Sequence, residues 1–428
     1  MNRMGAKIHV ISISFLITGN LIGAGILALP VNTGLAGLIP SLVGMVIIGV
    51  AMFFSAMVLS HQAVCERSEN FNYPSLYHRY LGWTGKWVAI AANMLILYGL
   101  LTAYITGASA IIANLFNIPI PHFVIVIIFF VVLTALNITG LSVMRKYNMV
   151  FMFLLWASFA VIVFLSYKRM DTSRFAYKDW MFVFSAVPII VTSFHFHNII
   201  PTICKALDWD MKVICKTMII GMCVGFLMNA IWIWVSLGAL PLTGASYSIM
   251  NAFKHNLPAT VPLAARMKTP LFMAGSLLFA LLAIMTSYLA NGAGLMDFNR
   301  DLLHNHLKLK KNRILVIGVT FLPPLAIALT YPNIFLKSLN IVGGFGIVLL
   351  FGVLPSIIAV MRYRTPFKRV FSFVMLALFS VMFLLEVAQE TGLLKINPQV
   401  ERWTHTTHKR VRKVNEKHYE ELDKLWKL

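Results

Sequence analysis

Apolar runs long enough to cross a lipid bilayer recur from one end of this chain to the other. Of its 428 residues, 59% are hydrophobic and only 12% are charged. Soluble domains carry roughly 25% charged residues, so a water-exposed surface of ordinary size is not available here. Because a membrane helix needs about 20 apolar residues, the sequence predicts an all-α polytopic membrane protein with about eleven transmembrane helices.

Breaker segments rich in proline, asparagine and charge separate the apolar runs, as in "FNIPIP" and "RYRTPFKR". The predicted spans cover residues 8–29, 37–60, 87–114, 122–139, 148–166, 181–203, 214–238, 271–297, 313–331, 333–360 and 369–389. This division predicts a membrane domain over residues 1–394 and a basic C-terminal tail over residues 395–428.

Lysine and arginine residues are distributed unevenly between the two sets of loops. With the N-terminus in the cytoplasm, the inner segments hold 19 of them and the outer loops hold 8. The positive-inside rule therefore predicts a cytoplasmic N-terminus, and it explains the net charge of +21 without a nucleic-acid partner. The tail disagrees, because an odd number of spans places its 9 basic residues outside. Either the count is wrong by one, or earlier spans fix the topology.

The first span contains an unusual stretch, "FLITGNLIGAGILALP", with three glycines and an asparagine at mid-bilayer depth. Gly19 and Gly23 form a Gly-x-x-x-Gly pair, which is typical of close helix packing. The alternative is a break in the helix, which is tolerated in a membrane only where the backbone is buried in protein or lines a polar cavity. Taken alone, the stretch favours packing.

The sixth span carries a matching oddity, because Pro188 and Pro201 bracket "TSFHFHN". Interrupted helices at corresponding positions of two halves indicate a secondary transporter built from inverted repeats. We therefore predict a 5+5 inverted repeat, with residues 8–166 in the first repeat, residues 181–360 in the second, and 369–389 as an extra helix. Direct similarity between the two halves is weak, so the prediction depends on position and chemistry.

A broken helix exposes N–H groups on one half and C=O groups on the other. The N–H end attracts a carboxylate and the C=O end attracts an ammonium group or a cation, so a zwitterion such as an amino acid can use both. The central parts of the first seven spans contain no Asp, Glu, Lys or Arg. Such a site binds charge with backbone dipoles and avoids a buried ionised side chain.

Four segments carry a family resemblance: "GNLIGAGILALP", "LYGLLTAYITGASAII", "SFHFHNIIPTICKAL" and "FLPPLAIALTYPNIFL". In order and spacing they resemble the bacterial hydroxy and aromatic amino acid permease family, of the amino acid/polyamine superfamily. The resemblance implies the leucine-transporter fold, proton-coupled uptake across the bacterial inner membrane, and a periplasmic C-terminus. Asn20 stands where the family usually has threonine, and His195 where it usually has glycine, which leaves the substrate open.

The breaks and the resemblance together define the predicted substrate-binding residues. Amides of the first break would face the carboxylate, carbonyls of the second would hold the amino group, and Phe194 or Phe196 would pack on the substrate side chain. The predicted residues are Gly19, Asn20, Gly23, Ala24 and Gly25 at the first break, Thr192, Ser193, Phe194, His195, Phe196 and His197 at the second, Tyr98, Thr102 and Tyr104 in the third span, and Tyr288 and Asn291 in the eighth.

Three residues are predicted candidates for ion coupling: His197, Thr286 and Ser287. Histidine titrates near neutral pH, although a neutral histidine bonded to backbone carbonyls is the alternative. In this fold the Thr286–Ser287 pair faces the first break, where it either binds sodium or is structural. His195 and His197 point to different sides, so we predict no metal site, and the sequence calls for no cofactor.

The leading hypothesis is a secondary active transporter that imports amino acids, with tyrosine or tryptophan favoured, by proton symport and alternating access. A carrier of serine, threonine or another neutral amino acid, coupled to sodium, is the alternative. A polytopic membrane enzyme is more remote, because the one sizeable loop, residues 238–268, has a single histidine and no carboxylate. Glu386 and Glu390 lie four residues apart on one face of the last predicted span. Because Glu390 is expected near the outer interface, solvated positions are favoured over a relay. The oligomeric state stays open.

Overall fold

The fold is described from a computed structural model, which places residues 3–400 apart from 68–70, 117–119, 140, 307 and 309–311. Within these ranges all regular secondary structure is helical. The α-helices are α1 (Arg3–Leu21), α2 (Ala24–Gly34), α3 (Leu38–Glu66), α4 (Tyr73–Phe116), α5 (His122–Thr139), α6 (Leu141–Tyr167), α7 (Val183–Ser193), α8 (Ile200–Ala206), α9 (Met211–Ala239), α10 (Ile249–Lys254), α11 (Thr260–Met267), α12 (Pro270–Asp301), α13 (Arg313–Thr330), α14 (Phe335–Ile341), α15 (Leu354–Arg362) and α16 (Pro366–Glu390). Two π-helical segments, Val342–Ile347 and Leu349–Val353, join α14 to α15.

Many of these helices are suited to a bilayer. Within the described part of the chain, 9 helices are long and apolar enough to cross a membrane. The bent pair α1–α2, counted as one span, would make 10. Helix α5 is apolar but shorter. One face of α3 exposes Val43, Val46, Ile47 and Val50, as expected of a surface that contacts lipid. The predicted all-α polytopic architecture is confirmed, whereas the count of eleven spans and the repeat boundaries remain predictions.

The first predicted span consists of two helices. Helix α1 ends at Leu21, α2 begins at Ala24, and the two helices are bent by 54°. Gly23 lies between them with an extended ψ of −157°. A Cβ atom on Gly25 would lie 3.0 Å from Ser193 Oγ, so the missing side chain lets α2 approach α7 closely.

The sixth predicted span is interrupted as well. Helix α7 ends at Ser193, and α8 begins only at Ile200, after a 3₁₀ turn over His197–Ile199. Pro201 falls in the first turn of α8, where its missing N–H leaves no intrahelical hydrogen bond unmade. The "TSFHFHN" stretch therefore contains the end of one helix and the start of the turn.

Glycines set the distance between the broken spans and their neighbours. Helix α1 packs along α9, and a Cβ atom on Gly221 of α9 would lie 2.8 Å from Ile17 Cβ. Gly225, one turn further on, packs against Leu21 in the same way. This is the small-residue packing that lets membrane helices approach closely. It fixes the end of α1 next to the break.

The residues that follow α16 fold back onto the loop between α6 and α7. The backbone N–H of Gln399 donates to Asp179 Oδ2 at 3.0 Å, and the N–H of Phe182 donates to Asp179 Oδ1 at 3.1 Å. The N–H of Asp179 in turn donates to the carbonyl of Ala36 at 2.7 Å. Three separate connections therefore meet on one face of the helix bundle. Residues 401–428, most of the predicted tail, lie outside the described residues.

Replacing Asp179 with alanine removes the acceptor for two backbone N–H groups, a buried one at Phe182 and a partly buried one at Gln399. A buried N–H group costs about 1–3 kcal/mol when left unpaired. We expect the midpoint of thermal unfolding of the detergent-purified protein to fall by a few degrees. Asp179→Asn, which keeps one acceptor oxygen, should lose less. An unchanged midpoint in Asp179→Ala would show that this contact adds no stability.

Candidate functional site

A cavity of about 890 Å³ lies between the two broken spans and helices α4, α6 and α12. Pockets of roughly 300–1,000 Å³ are typical of small-molecule sites. Predicted site residues from both breaks and from α4 and α12 line it: Gly19, Asn20, Gly23, Gly25, Tyr104, Thr192, His195, Thr286, Ser287 and Asn291. The fold therefore brings together residues that are up to 272 positions apart in the chain (291 − 19).

Helix α12 forms the part of the cavity wall that contacts the first break. A Cβ atom on Gly23 would lie 3.0 Å from Ser287 Oγ, so this hydroxyl lies against the interrupted backbone. The Thr286 hydroxyl donates to the carbonyl of Leu282 at 2.8 Å. The Thr286–Ser287 pair thus lies beside the first break, at the edge of the cavity.

An asparagine and a tyrosine form a polar patch on the same side. Asn291 Nδ2 donates to the Tyr104 hydroxyl at 3.1 Å and to the carbonyl of Ser287 at 2.9 Å. Asn291 Oδ1 is buried and has no hydrogen-bond partner among the described residues. An unpaired buried acceptor beside a cavity is suited to receive a hydrogen bond from a ligand.

The second break contributes His195 and Thr192. The His195 ring is 7% exposed and lies parallel to the His197 ring at 6.0 Å, with Phe351 at 5.1 Å. Its Nε2 atom has no hydrogen-bond partner in the described part of the chain. The Thr192 hydroxyl donates to the carbonyl of Pro188 at 2.9 Å. His195 therefore lines the cavity with a fixed ring whose Nε2 is buried and unpaired among the described residues.

His197 has a different environment from His195. It is fully buried and does not line the cavity, and its Nε2 lies 3.2 Å from the carbonyl of Met52 on α3. Its own carbonyl accepts a hydrogen bond from the Tyr73 hydroxyl at the start of α4. His197 thus fastens the second break to two neighbouring helices.

Six further predicted residues lie away from the cavity wall. Tyr98 donates to the carbonyl of Val319 at 2.8 Å, and Tyr288 shares a hydrogen bond with Thr134 at 3.0 Å, so both hydroxyls bridge helices. The set that does not line the cavity is Tyr98, Thr102, Ser193, Phe194, Phe196 and Tyr288. Phe194 packs beside Phe226 instead, with the ring centroids 6.4 Å apart. For Ala24 the structure describes the backbone, as the start of α2, and not the side chain.

Several lining residues were not predicted. They come mainly from apolar parts of α1 and α6, namely Ser12, Ile13, Phe15, Leu16, Met152, Phe153 and Trp156, with Asn198 from the second break. Met152 Cε would lie 3.1 Å from a Cβ atom on Gly19, so α6 closes directly on the first break. Nothing in the local sequence separates these residues from lipid-facing ones.

The cavity wall carries no charged side chain in the described part of the chain, and the cavity extends towards one side of the predicted membrane. The wall contains no Asp, Glu, Lys or Arg among the described residues. Charge on a ligand would therefore have to be met by the amides at the start of α2 and the carbonyls at the end of α7, where the helix dipoles place opposite partial charges. The carbonyls of Val191 and Thr192 already accept hydrogen bonds from the N–H groups that follow α7. The cavity extends along Phe15 of α1 and Phe153 of α6, towards the side that the charge distribution predicts to be cytoplasmic.

The cavity has the two features predicted from the sequence, an uncharged wall and a position at two helix breaks. The family resemblance of the four segments can be compared with known proteins directly. The sequence fits the profile of the tryptophan/tyrosine permease family over residues 7–394. The chain belongs to this family. It is accordingly a permease rather than an enzyme, and the predicted resemblance is confirmed.

Named relatives of the permease differ in what they carry. The tyrosine-specific transport system 1 of Haemophilus influenzae is 29% identical over 339 residues, 77% of this chain and 82% of that protein. The low affinity tryptophan permease of Proteus vulgaris is 27% identical over 345 residues, covering 77% and 81%. Glutamine transporter 2 of Aliivibrio fischeri is 24% identical over 348 residues, covering 79% and 84%.

Among solved structures, the permease resembles a manganese transporter of Eremococcus coleocola. The TM-score is 0.58 at 14% identity, over 96% of this chain and 93% of that one. At this identity the likeness concerns the fold alone, and it agrees with the predicted leucine-transporter-like arrangement of helices.

The Gly23→Leu variant should abolish uptake while leaving membrane insertion intact. A leucine side chain at this position would collide with Ser287, whose hydroxyl already lies 3.0 Å from the Cβ position, and would enter the cavity. Uptake of labelled amino acid by cells, normalised to the amount of protein in the membrane, measures the effect.

Gly294→Leu is the matched control, because Gly294 lies on the exposed side of α12 and a Cβ atom there would have no neighbouring atom within 4 Å. This variant should transport normally. Normal uptake by a well-expressed Gly23→Leu protein would contradict the assignment of the first break to the substrate site.

Proposed function

We propose that the permease imports an aromatic amino acid, tyrosine or tryptophan, by proton symport across the inner membrane of a bacterium. The observation that carries this proposal is the meeting of two interrupted helices at one uncharged cavity. Gly25 at the start of α2 lies against Ser193 at the end of α7, so the two breaks are in direct contact. A compact zwitterion between them would reach both.

The backbone provides the charge complement for this substrate. The first amides of α2 carry the positive end of a helix dipole, and the last carbonyls of α7 carry the negative end. A substrate carboxylate would therefore be held at Gly23 and Gly25, and its ammonium group at the carbonyl of Thr192, a residue at the end of α7 that lines the cavity. Each of these charges would otherwise require an ionised side chain inside the membrane, at a cost of several kcal/mol.

Aromatic side chains in the cavity favour an aromatic substrate. Phe15, Tyr104, Phe153 and Trp156 line the space beside the breaks. Aromatic pairs contribute about 0.5–1.5 kcal/mol beyond the burial of their surface. The names of two relatives, a tyrosine-specific system and a tryptophan permease, agree with this choice. A neutral polar amino acid is the alternative, and a glutamine transporter stands among the relatives.

A difference between the two sides of the cavity supports alternating access as the transport mechanism. Towards the predicted outer face, Ile26, Leu27 and Leu29 of α2 are fully buried. The N–H of Ala259, before α11, donates to the carbonyl of Leu27 at 2.8 Å and ties the outer loop to α2. We infer that this conformation faces inward, and that rocking of the broken helices against the remaining bundle would open the outer side.

Coupling to protons follows from the family resemblance and is part of the proposal. The coupling candidates are the Thr286–Ser287 pair at the edge of the cavity and His197, which holds the second break without lining the cavity. Sodium is the alternative ion, because the hydroxyl of Ser287 lies next to the interrupted backbone at Gly23. Oxygen ligands of this kind are suited to a hard cation.

The proposal predicts that the purified permease in liposomes concentrates labelled tyrosine or tryptophan when the inside is made alkaline. A gradient of about one pH unit should support roughly tenfold accumulation for one proton per substrate, and a proton ionophore should abolish it. Accumulation under a sodium gradient but not under a pH gradient would replace the proton by sodium. Unlabelled amino acids added in excess identify the substrate by competition.

The His195→Gly variant, which restores the usual family residue, should weaken recognition of a substrate with a polar ring atom. His195 lines the cavity, and its buried Nε2 has no partner among the described residues, so rotation of the ring towards the cavity would let a tyrosine hydroxyl or an indole N–H bond to it. A lost hydrogen bond of about 1.4 kcal/mol raises KM about tenfold.

Phenylalanine is the control substrate for this variant, because its ring carries no polar atom. Its KM should change less than that of tyrosine if both are carried. Equal changes for the two amino acids would mean that His195 shapes the site without reading the ring.

A further inference from the structure

Glu386 is a buried carboxyl group outside the substrate cavity. It lies on α16, where the sequence predicted a solvated position, yet it is only 4% exposed. Glu390, one turn further along α16, has the predicted exposure and pairs with Lys337 at 3.2 Å. Within the described chain, Glu386 itself has no ion pair within 4 Å. An unpaired carboxylate in such a position is expensive, and ionisable groups inside membrane proteins usually mark a function.

A glycine in the tenth predicted span makes the burial of Glu386 possible. A Cβ atom on Gly344 would lie 2.6 Å from Glu386 Cδ, so any other residue there would displace the carboxyl group. Gly344 belongs to the π-helical segment Val342–Ile347. π-Helical turns are rare and occur frequently at functional sites, because their wider hydrogen-bond pattern is easily changed.

Gly343, the neighbour of Gly344 in this π-helical segment, contacts the second broken span. A Cβ atom on Gly343 would overlap the carbonyl of Pro188 and would lie 2.5 Å from Thr192 Oγ1. Thr192 lines the cavity and also donates to the carbonyl of Leu339, at 3.2 Å, in α14. One helix backbone therefore separates the Glu386 carboxyl group from the wall of the substrate site.

The same span also contacts the first broken span. Asn32 Nδ2 of α2 donates to Asn340 Oδ1 of α14 at 3.4 Å. Helix α14 runs directly into the π-helical segment that Glu386 contacts. A change in the packing of α16 on this segment would consequently alter its contacts with both broken spans.

Few charges act on Glu386. Lys337 and Glu390, both near the end of α16, are the charged groups that face it. Helix α7 and the two π-helical segments, which pack against α16, carry no titratable side chain. Helix α15 carries only Arg362, which lies near the opposite end of α16. Proton uptake would thus remove the one uncompensated charge in this contact.

We propose that Glu386 takes up the proton that moves with the substrate, which rests on the proposed proton symport. The carboxylate binds one proton from water at the predicted outer end of α16, beside the Lys337–Glu390 pair. The neutral carboxyl group then packs on Gly344 and holds the tenth span against both breaks, as in this structure. Loss of the same proton to the other side restores the carboxylate and loosens the contact.

The test compares Glu386→Gln with Glu390→Gln and the unaltered protein in liposomes. Glutamine resembles the protonated carboxyl group but cannot release a proton. Glu386→Gln should keep counterflow, the exchange of labelled for unlabelled substrate without a gradient, within about twofold of the unaltered protein. Its accumulation under a pH gradient of about one unit should fall from roughly tenfold to equilibration. Glu390→Gln should retain both activities.

The outcomes separate this inference from the proposed function. If the unaltered protein fails to accumulate substrate under a pH gradient, proton symport itself is wrong. If the unaltered protein and Glu386→Gln both accumulate substrate, Glu386 is not the proton carrier. Loss of counterflow as well as accumulation in Glu386→Gln would also overturn the inference, because a mimic of the protonated state must support every step that moves no proton.

Discussion

The hydrogen-bond requirement of the peptide backbone in a lipid environment governs this structure. A helix that stops in mid-membrane leaves N–H and C=O groups without partners, and hydrocarbon offers none. The chain interrupts two helices and directs both interruptions into the protein interior, where Gly25 and Ser193 meet. The surrounding helices α4, α6 and α12 line the uncharged cavity beside these groups.

Close packing around the breaks depends on residues with little or no side chain. Gly221 and Gly225 bring α9 against α1, and Gly343 and Gly344 bring the π-helical segment between α7 and α16. At some of these glycines two helix backbones are in van der Waals contact, and at others one backbone contacts a single side chain. Contacts this tight transmit a displacement directly, because the interior has no slack to absorb it. Close contacts at glycines therefore link the cavity wall to α16.

Sequence reasoning located the breaks because their signals are local. Glycine, asparagine, histidine and proline inside an apolar run have few explanations in a membrane helix, and the structure ends and restarts helices at those stretches. The orientation of each side chain around an interruption was harder, since an irregular backbone has no period. Phe194 and Phe196 consequently lie in the core, and His195 lies at the cavity. The position of Trp156 at the cavity could not be predicted, because it lies between apolar residues in an apolar run. The burial of Glu386 could not be predicted either, because it depends on Gly344, which is far away in the sequence.

Holding a zwitterion with peptide groups, as proposed, has a consequence for how the permease responds to acidity. Amides and carbonyls neither gain nor lose protons between acid and alkaline conditions, so the backbone part of substrate binding would not change with pH. Sensitivity to acidity would then originate in side chains such as His195 at the cavity and Glu386 on α16. Changes in external pH would act on these side chains and on the driving force for uptake, and would leave the backbone contacts unchanged.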